Sequence, residues 1–336
     1  IDRIQRWLID LGGELKLTVA SIALNLWQRR FLTREIPCYW ELDSLIRPAY
    51  FGGRCEIYWP RAENAVHYDI RSHYPAIMAT VPVPCGPARR VRVDLRSFQG
   101  FDLAGVARAR VEVPFTFIPP LPLRGNWRNH YPWGEIEGIW DLHELQMARE
   151  YGCRVEIEGS AVVWSARVLF ADYVRELFRE RQKGEWYERI SKLLLNSLYG
   201  KFGQRPVMES VVSSPASPVG MKCLSFELDL WLQEMPAWRP FTLPGIAIRV
   251  ASEGRIRLGR VLQREDKHIA YCDTDSVFSR SGDLSIITGD GLGQWRRVEG
   301  PLHHVEFALP RHYVIKDDGR FRVKAAGIPL TSAVIS

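Results

Sequence analysis

Lysine is scarce in this 336-residue chain, which takes most of its positive charge from arginine. Only eight lysines occur, and none lies between Lys16 and Lys183, so that Lys183, Lys192 and Lys201 stand out as a small cluster. The net charge of +6 suits a polyanionic partner without requiring one. The planar guanidinium group of arginine, with its forked N–H donors, is well suited to phosphate contacts. A genomic bias toward arginine explains the composition equally well.

The six cysteines are scattered, and no two of them form a C-x-x-C pair. This pattern argues against a zinc site and against the disulfide framework of a small secreted protein. No apolar run approaches the roughly 20 residues of a transmembrane helix, and no secretory signal opens the chain. We therefore expect no membrane partner and a reducing environment, the cytoplasm of a bacterial or infected host cell.

The chain starts at Ile1 rather than at a methionine, and Ile1, Ile4 and Leu8 already follow helical spacing. We therefore expect it to begin inside a helix, as a piece of a longer protein would. Hydrophobic residues make up 46% of the chain, which is enough for a sizeable core.

Apolar periodicity and the positions of glycine and proline predict a mixture of helices and strands. The predicted helices cover residues 1–35 with a break at Gly12-Gly13, 76–81, 142–151, 169–183, 187–199 and 246–262. The predicted strands are 65–70, 91–95, 106–113, 155–164, 269–271 and 277–278. Residues 118–133 and 204–244 are predicted to be irregular because they are rich in proline, glycine or serine.

Three short motifs follow one another along the chain. Asp69 to Pro75 reads D-I-R-S-H-Y-P, Lys192 to Gly200 reads K-L-L-L-N-S-L-Y-G, and Tyr271 to Ser276 reads Y-C-D-T-D-S. Each motif alone is weak, because an Asp-Thr-Asp tripeptide is most often a polar turn. Together and in this order they resemble the D-x-x-S-L-Y-P, K-x-x-x-N-S-x-Y-G and Y-x-D-T-D-S patterns of family B DNA polymerases.

The resemblance implies an α+β fold: a palm with an antiparallel sheet and helices, and a helical fingers hairpin. It implies a DNA-directed DNA polymerase that uses deoxynucleoside triphosphates, a DNA template and a primer. In that family, two Mg²⁺ ions, for which Mn²⁺ substitutes, are held by the positions matching Asp69, Asp273 and Asp275. Carboxylate oxygens suit these hard cations, and two such ions promote nucleotidyl transfer by activating the attacking oxygen and stabilising the leaving one.

The resemblance also implies a nucleotide site on the fingers. Lys192, Asn196 and Tyr199 fall on roughly one face of a helix, so that the lysine is placed to meet a triphosphate. A further basic residue is expected upstream, and Arg181 matches it best, with Arg179 and Lys183 as rivals.

Tyr74 matches the tyrosine that stacks under the sugar and leaves no room for a 2′ hydroxyl. The sequence departs from the family pattern at His73, where leucine is usual. This departure puts the local packing, and with it the stringency of sugar selection, in doubt.

Three shorter elements are less specific. Arg311-His312-Tyr313 resembles the K-x-Y element that holds the primer end, with arginine in place of lysine, and Lys324 begins a K-x-x-G stretch beyond it. Tyr50 to Gly53 resembles the Y-x-G-G element that joins the exonuclease and polymerase parts of the family. For each of them, a solvated strand or a glycine turn is the alternative.

The expected organisation follows the motifs. Residues 1–45 are a helical segment, for which the tail of an upstream exonuclease domain is one interpretation. Residues 46–168 are the first part of the palm with an insertion near 118–133, and 169–203 the fingers. Residues 204–245 are an insertion, 246–330 the second part of the palm, and 331–336 the start of a thumb that is largely absent. The two insertions resemble those of the protein-primed, phage-type branch and its primer-independent relatives, which implies a terminal priming protein as a further partner.

Two other functions compete with this interpretation. A non-catalytic, nucleic-acid-binding relative would be expected to lose the three carboxylates, because they repel each other and the phosphates. A primer-independent primase-polymerase or a reverse transcriptase would keep them, and would differ in its choice of sugar and template.

Overall fold

The computed structural model describes residues 2–98, 102–126, 128–205, 207–215, 217, 219–236, 241–317 and 320–326. Its α-helices in these ranges are α1 Asp2–Asp10, α2 Val19–Arg30, α3 Asp43–Ile46, α4 His73–Thr80, α5 Leu142–Glu150, α6 Ala171–Glu180, α7 Glu185–Phe202 and α8 Pro244–Glu265. Four short 3-10 helices lie at Trp40–Leu42, Arg47–Ala49, Arg181–Lys183 and Asp266–His268. Of the described helices, none combines the length and apolar character needed to cross a membrane.

The strands in the first half of the chain are β1 Cys55–Ile57, β2 Arg61–Ile70, β3 Val83–Pro84, β4 Arg89–Val91, β5 Leu103–Val113, β6 Leu123–Arg124, β7 Asn129–His130, β8 Gly134–Asp141, β9 Arg154–Ile157 and β10 Ala161–Arg167. Those in the second half are β11 Val207–Ser213, β12 Lys222–Ser225, β13 Leu230–Pro236, β14 Ile269–Asp273, β15 Ser276–Ser279, β16 Trp295–Leu309, β17 His312–Asp317 and β18 Arg320–Ala325.

The largest sheet contains seven antiparallel strands in the order β1-β14-β15-β2-β16-β17-β18. The central strand β2 alternates between buried and more accessible residues near its end, where Tyr68 and Ile70 are buried and Asp69 is partly accessible. This alternation places Asp69 on the opposite face of the sheet from its apolar neighbours. The strand therefore anchors itself in the core and presents a carboxylate on the accessible face.

The second sheet runs β3-β10-β5-β8, with β4 paired to β10 and β9 to β5. Helix α8 begins with Pro244 in its first turn, where a missing N–H costs nothing, and is buried along most of its length. It contacts α4, α5 and α7, and also reaches β3, β5 and β8 of the second sheet. A helix that is buried on several sides binds the surrounding elements into one core. The prediction of an α+β fold is confirmed.

The prediction of an irregular region at 204–244 is wrong. Strands β11, β12 and β13 form a separate three-stranded antiparallel sheet in the order β11-β13-β12. Large apolar side chains on its strands, such as Val211 and Leu224, are exposed, so that the apolar-inside, polar-outside pattern that reveals a half-buried strand is weak. We call the segment that carries β11, β12 and β13 the excursion. At its base the Leu243 N–H donates a hydrogen bond to the Phe202 carbonyl over 3.0 Å, which brings the two ends of the excursion together.

Other boundaries differ by a few residues. The helix predicted from Ala76 begins at His73, because Pro75 lies in its first turn, where a proline is tolerated. The strand prediction at 91–95 is wrong beyond Val91, since β4 ends at that residue. The region 118–133 contains the short pair β6 and β7. The proposed start of a thumb at 331–336 lies outside the described residues.

Candidate active site

Two of the three motif carboxylates lie at the same level of the large sheet. Asp69 on β2 pairs with Ser276 on β15, and Ser276 pairs in turn with Asp273 on β14. Side chains of directly opposed residues project from the same face of a sheet. The register therefore places Asp69, Ser276 and Asp273 in a row on one face, with Asp275 on the turn between β14 and β15.

That turn is tightly held. Thr274 has a φ of 58°, which is uncommon for a β-branched residue. Its N–H donates to the Arg54 carbonyl over 2.7 Å, and its hydroxyl donates to Asp273 over 3.0 Å. Gly53 packs so closely that a Cβ there would lie 2.5 Å from the Thr274 Oγ1. The Y-x-G-G element is therefore the support against which the Asp-Thr-Asp turn is built.

The three carboxylates repel one another. Burial, together with the negative charges of Asp69 and Asp273, raises the pKa of Asp275 to about 6. Asp69 and Asp273 are each neutralised by an arginine: Arg296 lies 3.3 Å from Asp69, and Arg311 lies 3.1 Å from Asp273. Such mutual repulsion among hard oxygen donors is what a divalent cation relieves.

Among the described residues, no three His, Cys, Asp or Glu side chains already form a closed ligand set. Two of the three carboxylates, Asp69 and Asp273, form ion pairs with arginines. The donor chemistry and the mutual repulsion of the three carboxylates nevertheless fit a divalent metal.

The best match for the upstream basic residue lies next to the first motif. Arg181, at the turn between α6 and α7, donates from Nη1 to the Ser72 hydroxyl over 2.9 Å and pairs with Glu188 over 3.1 Å. Of its two rivals, Arg179 pairs with Glu176 and Lys183 pairs with Glu180, on α6 itself. Arg181 is therefore the one of the three that the fold brings into contact with the D-x-x-S segment.

The second motif meets the first through two tyrosines. Tyr74 on α4 and Tyr199 on α7 stack with their ring centroids 4.3 Å apart. Lys192 and Asn196 are exposed on α7, and within the described residues Lys192 has no carboxylate partner. A lysine without an ion pair on the same helix as a stacked tyrosine is available to an incoming anion.

His73 lies behind Tyr74 rather than in the cleft. It is 2% exposed, its Nε2 lies 3.3 Å from the Gly254 carbonyl, and burial lowers its pKa to about 4. Its Nδ1 is buried without a hydrogen-bond partner in the described structure. The residue therefore fills, as a neutral ring, the space where the family pattern has leucine.

The candidates for primer binding lie on or next to β17 and β18, the last two strands of the large sheet. Tyr313 on β17 lies opposite Lys324 on β18, and the lysine Nζ is 5.5 Å from the centre of the tyrosine ring. Arg311 precedes them and contacts Asp273, which joins this pair to the carboxylate row. The K-x-x-G match extends to Gly327, which lies outside the described residues.

Sequence reasoning missed Arg255 on α8. This buried side chain forms a two-pronged ion pair with Glu144, with both N–O distances 2.7 Å, and also donates to the carbonyls of Phe51 and Gly52. It thereby fixes the Y-x-G-G segment that supports Thr274. A charged residue on a helix normally predicts an exposed face, so that no local pattern in the sequence points to this role.

The chain was compared with known families and structures. A family model described as DNA polymerase type B, organellar and viral, matches residues 14–218. A probable DNA polymerase of Neurospora intermedia is 29% identical over 296 residues, which are 77% of this chain and 30% of that protein. The DNA polymerase of Bacillus phage phi29 is 23% identical over 293 residues, 81% of this chain and 49% of that protein.

Among solved structures, phi29 DNA polymerase complexed with primer-template DNA and incoming nucleotides aligns with a TM-score of 0.75 at 20% identity, over 96% of this chain and 62% of that one. The chain therefore spans between 30% and 62% of the length of these three relatives, and shares the phage-type fold. With its matched family model and its ordered motifs, the chain belongs to the type B DNA polymerases of organelles and viruses.

Proposed function

We propose that this chain carries the polymerisation site of a DNA-directed DNA polymerase. The observation that carries the proposal is the register that sets Asp69, Ser276 and Asp273 in a row on one face of the sheet, with Asp275 on the adjoining turn. The family supports it, as do relatives that are named as DNA polymerases. The substrates proposed are deoxynucleoside triphosphates, a DNA template and a hydroxyl primer.

Asp69, Asp273 and Asp275 would hold two Mg²⁺ ions, which when bound activate the attacking hydroxyl and stabilise the charge on the leaving pyrophosphate. Mn²⁺ would substitute, since it accepts the same oxygen ligands. The carboxylates supply the negative charge that such ions need, in a site partly shielded from water, where electrostatic interactions are strong.

The remaining residues bind and orient the substrates. Arg181 and Lys192 would neutralise the triphosphate, and Asn196 and Tyr199 would flank the nucleotide. Tyr74, held in place by its stack on Tyr199, would exclude a 2′ hydroxyl by occupying its space. On the other side of the carboxylates, three residues would hold the primer strand: Arg311, Tyr313 and Lys324.

The test is primer extension by Asp275→Asn on a DNA template with Mg²⁺. We expect a loss of about a thousandfold or more, because removing a metal-ligand charge costs several kcal/mol at the transition state. DNA binding should be unchanged or stronger, since a negative charge near the phosphates is removed. Asp283→Asn is the matched control, because Asp283 lies on the flank of the same sheet and accepts a hydrogen bond from Tyr68 that an amide oxygen can keep. Near-normal extension by a folded Asp275→Asn protein would refute the metal-site assignment.

The priming hydroxyl is proposed to come from a DNA 3′ end or from a side chain of a terminal priming protein. These hydroxyls are similar nucleophiles, so that one site serves both. Reactions with and without a DNA primer, using either ribo- or deoxyribonucleotides, distinguish the alternatives. Synthesis that starts from nucleotides alone would instead indicate a primer-independent primase-polymerase.

A further inference from the structure

Arg296 lies beside the first carboxylate, in a position that none of the three motifs includes. It is the direct partner of Asp69 in the β2–β16 register, and both its Nε and its Nη2 lie 3.3 Å from the Asp69 Oδ1. The next residue, Arg297, pairs with Asp283 instead. Neighbouring residues on a strand project to opposite faces, so that only Arg296 shares the face of the carboxylate row.

The contact between Arg296 and Asp69 is of a kind that is easily exchanged. Both nitrogens approach the same oxygen, Oδ1, at a long distance, rather than one oxygen each, and half of the arginine side chain is exposed. Half-exposed ion pairs of this geometry contribute little to stability, in contrast to a two-pronged, buried pair such as Arg255 with Glu144. Arg296 therefore neutralises Asp69 without being fixed to it.

The strand that bears Arg296 is tied to the segment that receives Arg181. The Arg71 N–H donates to the Gln294 carbonyl over 2.9 Å, and the Gly293 N–H donates to the Arg71 carbonyl over 2.8 Å. Arg71 immediately precedes Ser72, to which Arg181 donates. An anion bound near Asp69 and Ser72 would thus lie close to two guanidinium groups, that of Arg296 on the sheet and that of Arg181 between α6 and α7.

We propose that Arg296 is a further phosphate-binding residue that switches partners. In the nucleotide-free site it neutralises Asp69. When nucleotide enters, Arg296 releases Asp69 to the divalent cation and binds the terminal phosphate oxygens, for which a guanidinium fork is well matched. Cation loading is thereby coupled to nucleotide binding. The inference rests on the proposed function, since it takes Asp69 as a metal ligand.

The test compares Arg296→Gln with Arg297→Gln in two equilibrium measurements. Mn²⁺ binding without nucleotide, followed by electron paramagnetic resonance, should be on the order of threefold to tenfold tighter in Arg296→Gln, because a competing positive charge is gone. Deoxynucleotide binding in the presence of Mn²⁺ should weaken by a similar factor, because a phosphate contact is lost. Arg297→Gln should match the unaltered chain in both, and Arg296→Lys should fall between.

Two results would overturn the switch: Mn²⁺ affinity in Arg296→Gln equal to that of Arg297→Gln, or tighter Mn²⁺ binding with no loss of nucleotide affinity. Circular dichroism checks that the variants fold, as expected for substitutions at half-exposed strand positions. Neither measurement depends on catalysis. If Arg296→Gln shows both binding effects but the unaltered chain extends no primer on DNA, the proposed function fails while the switch stands.

Discussion

The Asp-Thr-Asp turn depends on Gly53 having no side chain. An added methyl group would meet the rigid, β-branched Thr274, so that Gly53→Ala should shift the Asp-Thr-Asp turn. We expect at least a tenfold loss in primer extension, and a loss of roughly 1–3 kcal/mol in the free energy of unfolding. Gly52→Ala is the matched control, because nothing lies within 4 Å of the Cβ it would gain. Equal activity of the two variants would show that the turn tolerates displacement.

His73 makes stability depend on pH. The pKa of His73 is lowered to about 4, first by burial and further by Arg257, while Glu253 opposes the shift. Between about pH 6.5 and 4, the unfolded chain therefore binds more protons than the folded chain. The stabilisation that comes from burying His73 as a neutral ring is complete above pH 6.5 and is lost as the pH falls. The free energy of unfolding should drop by about 2 kcal/mol more between pH 8 and pH 5 than in His73→Leu.

Urea unfolding at the two pH values measures the His73 effect. The comparison with His73→Leu cancels the carboxylates that titrate in the same range. Identical slopes for His73→Leu and the unaltered chain would mean that water or a rearrangement solvates the protonated ring.

At the scale of elements, helices α6 and α7 and the turn between them place Arg181 next to the first motif. Arg181→Ala should raise KM for deoxynucleotides about tenfold, because it removes a guanidinium from the phosphate path. Arg179→Ala should change KM by less than about twofold, since that side chain is exposed and pairs along its own helix. Steady-state kinetics on a fixed primer-template measures both. A KM shift shared by the two variants would indicate general loss of positive charge instead.

The helices and central strands were predictable because each has a strong pattern. Helix α7 carries buried leucines at helical spacing, and β2 ends in an alternation of buried residues around Asp69. The carboxylates were found from the order of the three motifs, a signal that does not depend on secondary-structure propensity. Arg255 and Arg296 were not found, because their roles arise from which elements become neighbours, and pairing between distant strands leaves no local signal in one sequence.

The excursion β11–β13 is the part of the molecule least joined to the rest. None of its described residues belongs to the hydrophobic clusters that hold the two larger sheets together. Replacing residues 207–236 with a short Gly/Ser linker should leave the thermal midpoint and single-nucleotide addition largely intact, because Phe202 and Leu243 already meet. Processive synthesis or initiation should fall, as expected if the excursion holds the duplex or a priming protein. Unfolding of the shortened chain would place the excursion in the core.

The strand order of the large sheet has a consequence for biosynthesis. Strand β2 is paired on both edges by β15 and β16, which belong to the last quarter of the chain. During translation, a ten-residue strand rich in apolar residues thus waits with two open edges until β15 and β16 have emerged. Exposed edges of this kind recruit other chains, and such distant pairing closes slowly. Chains truncated before β14 should therefore aggregate or require a chaperone, and Asp69 cannot meet Asp273 before β14 has been synthesised.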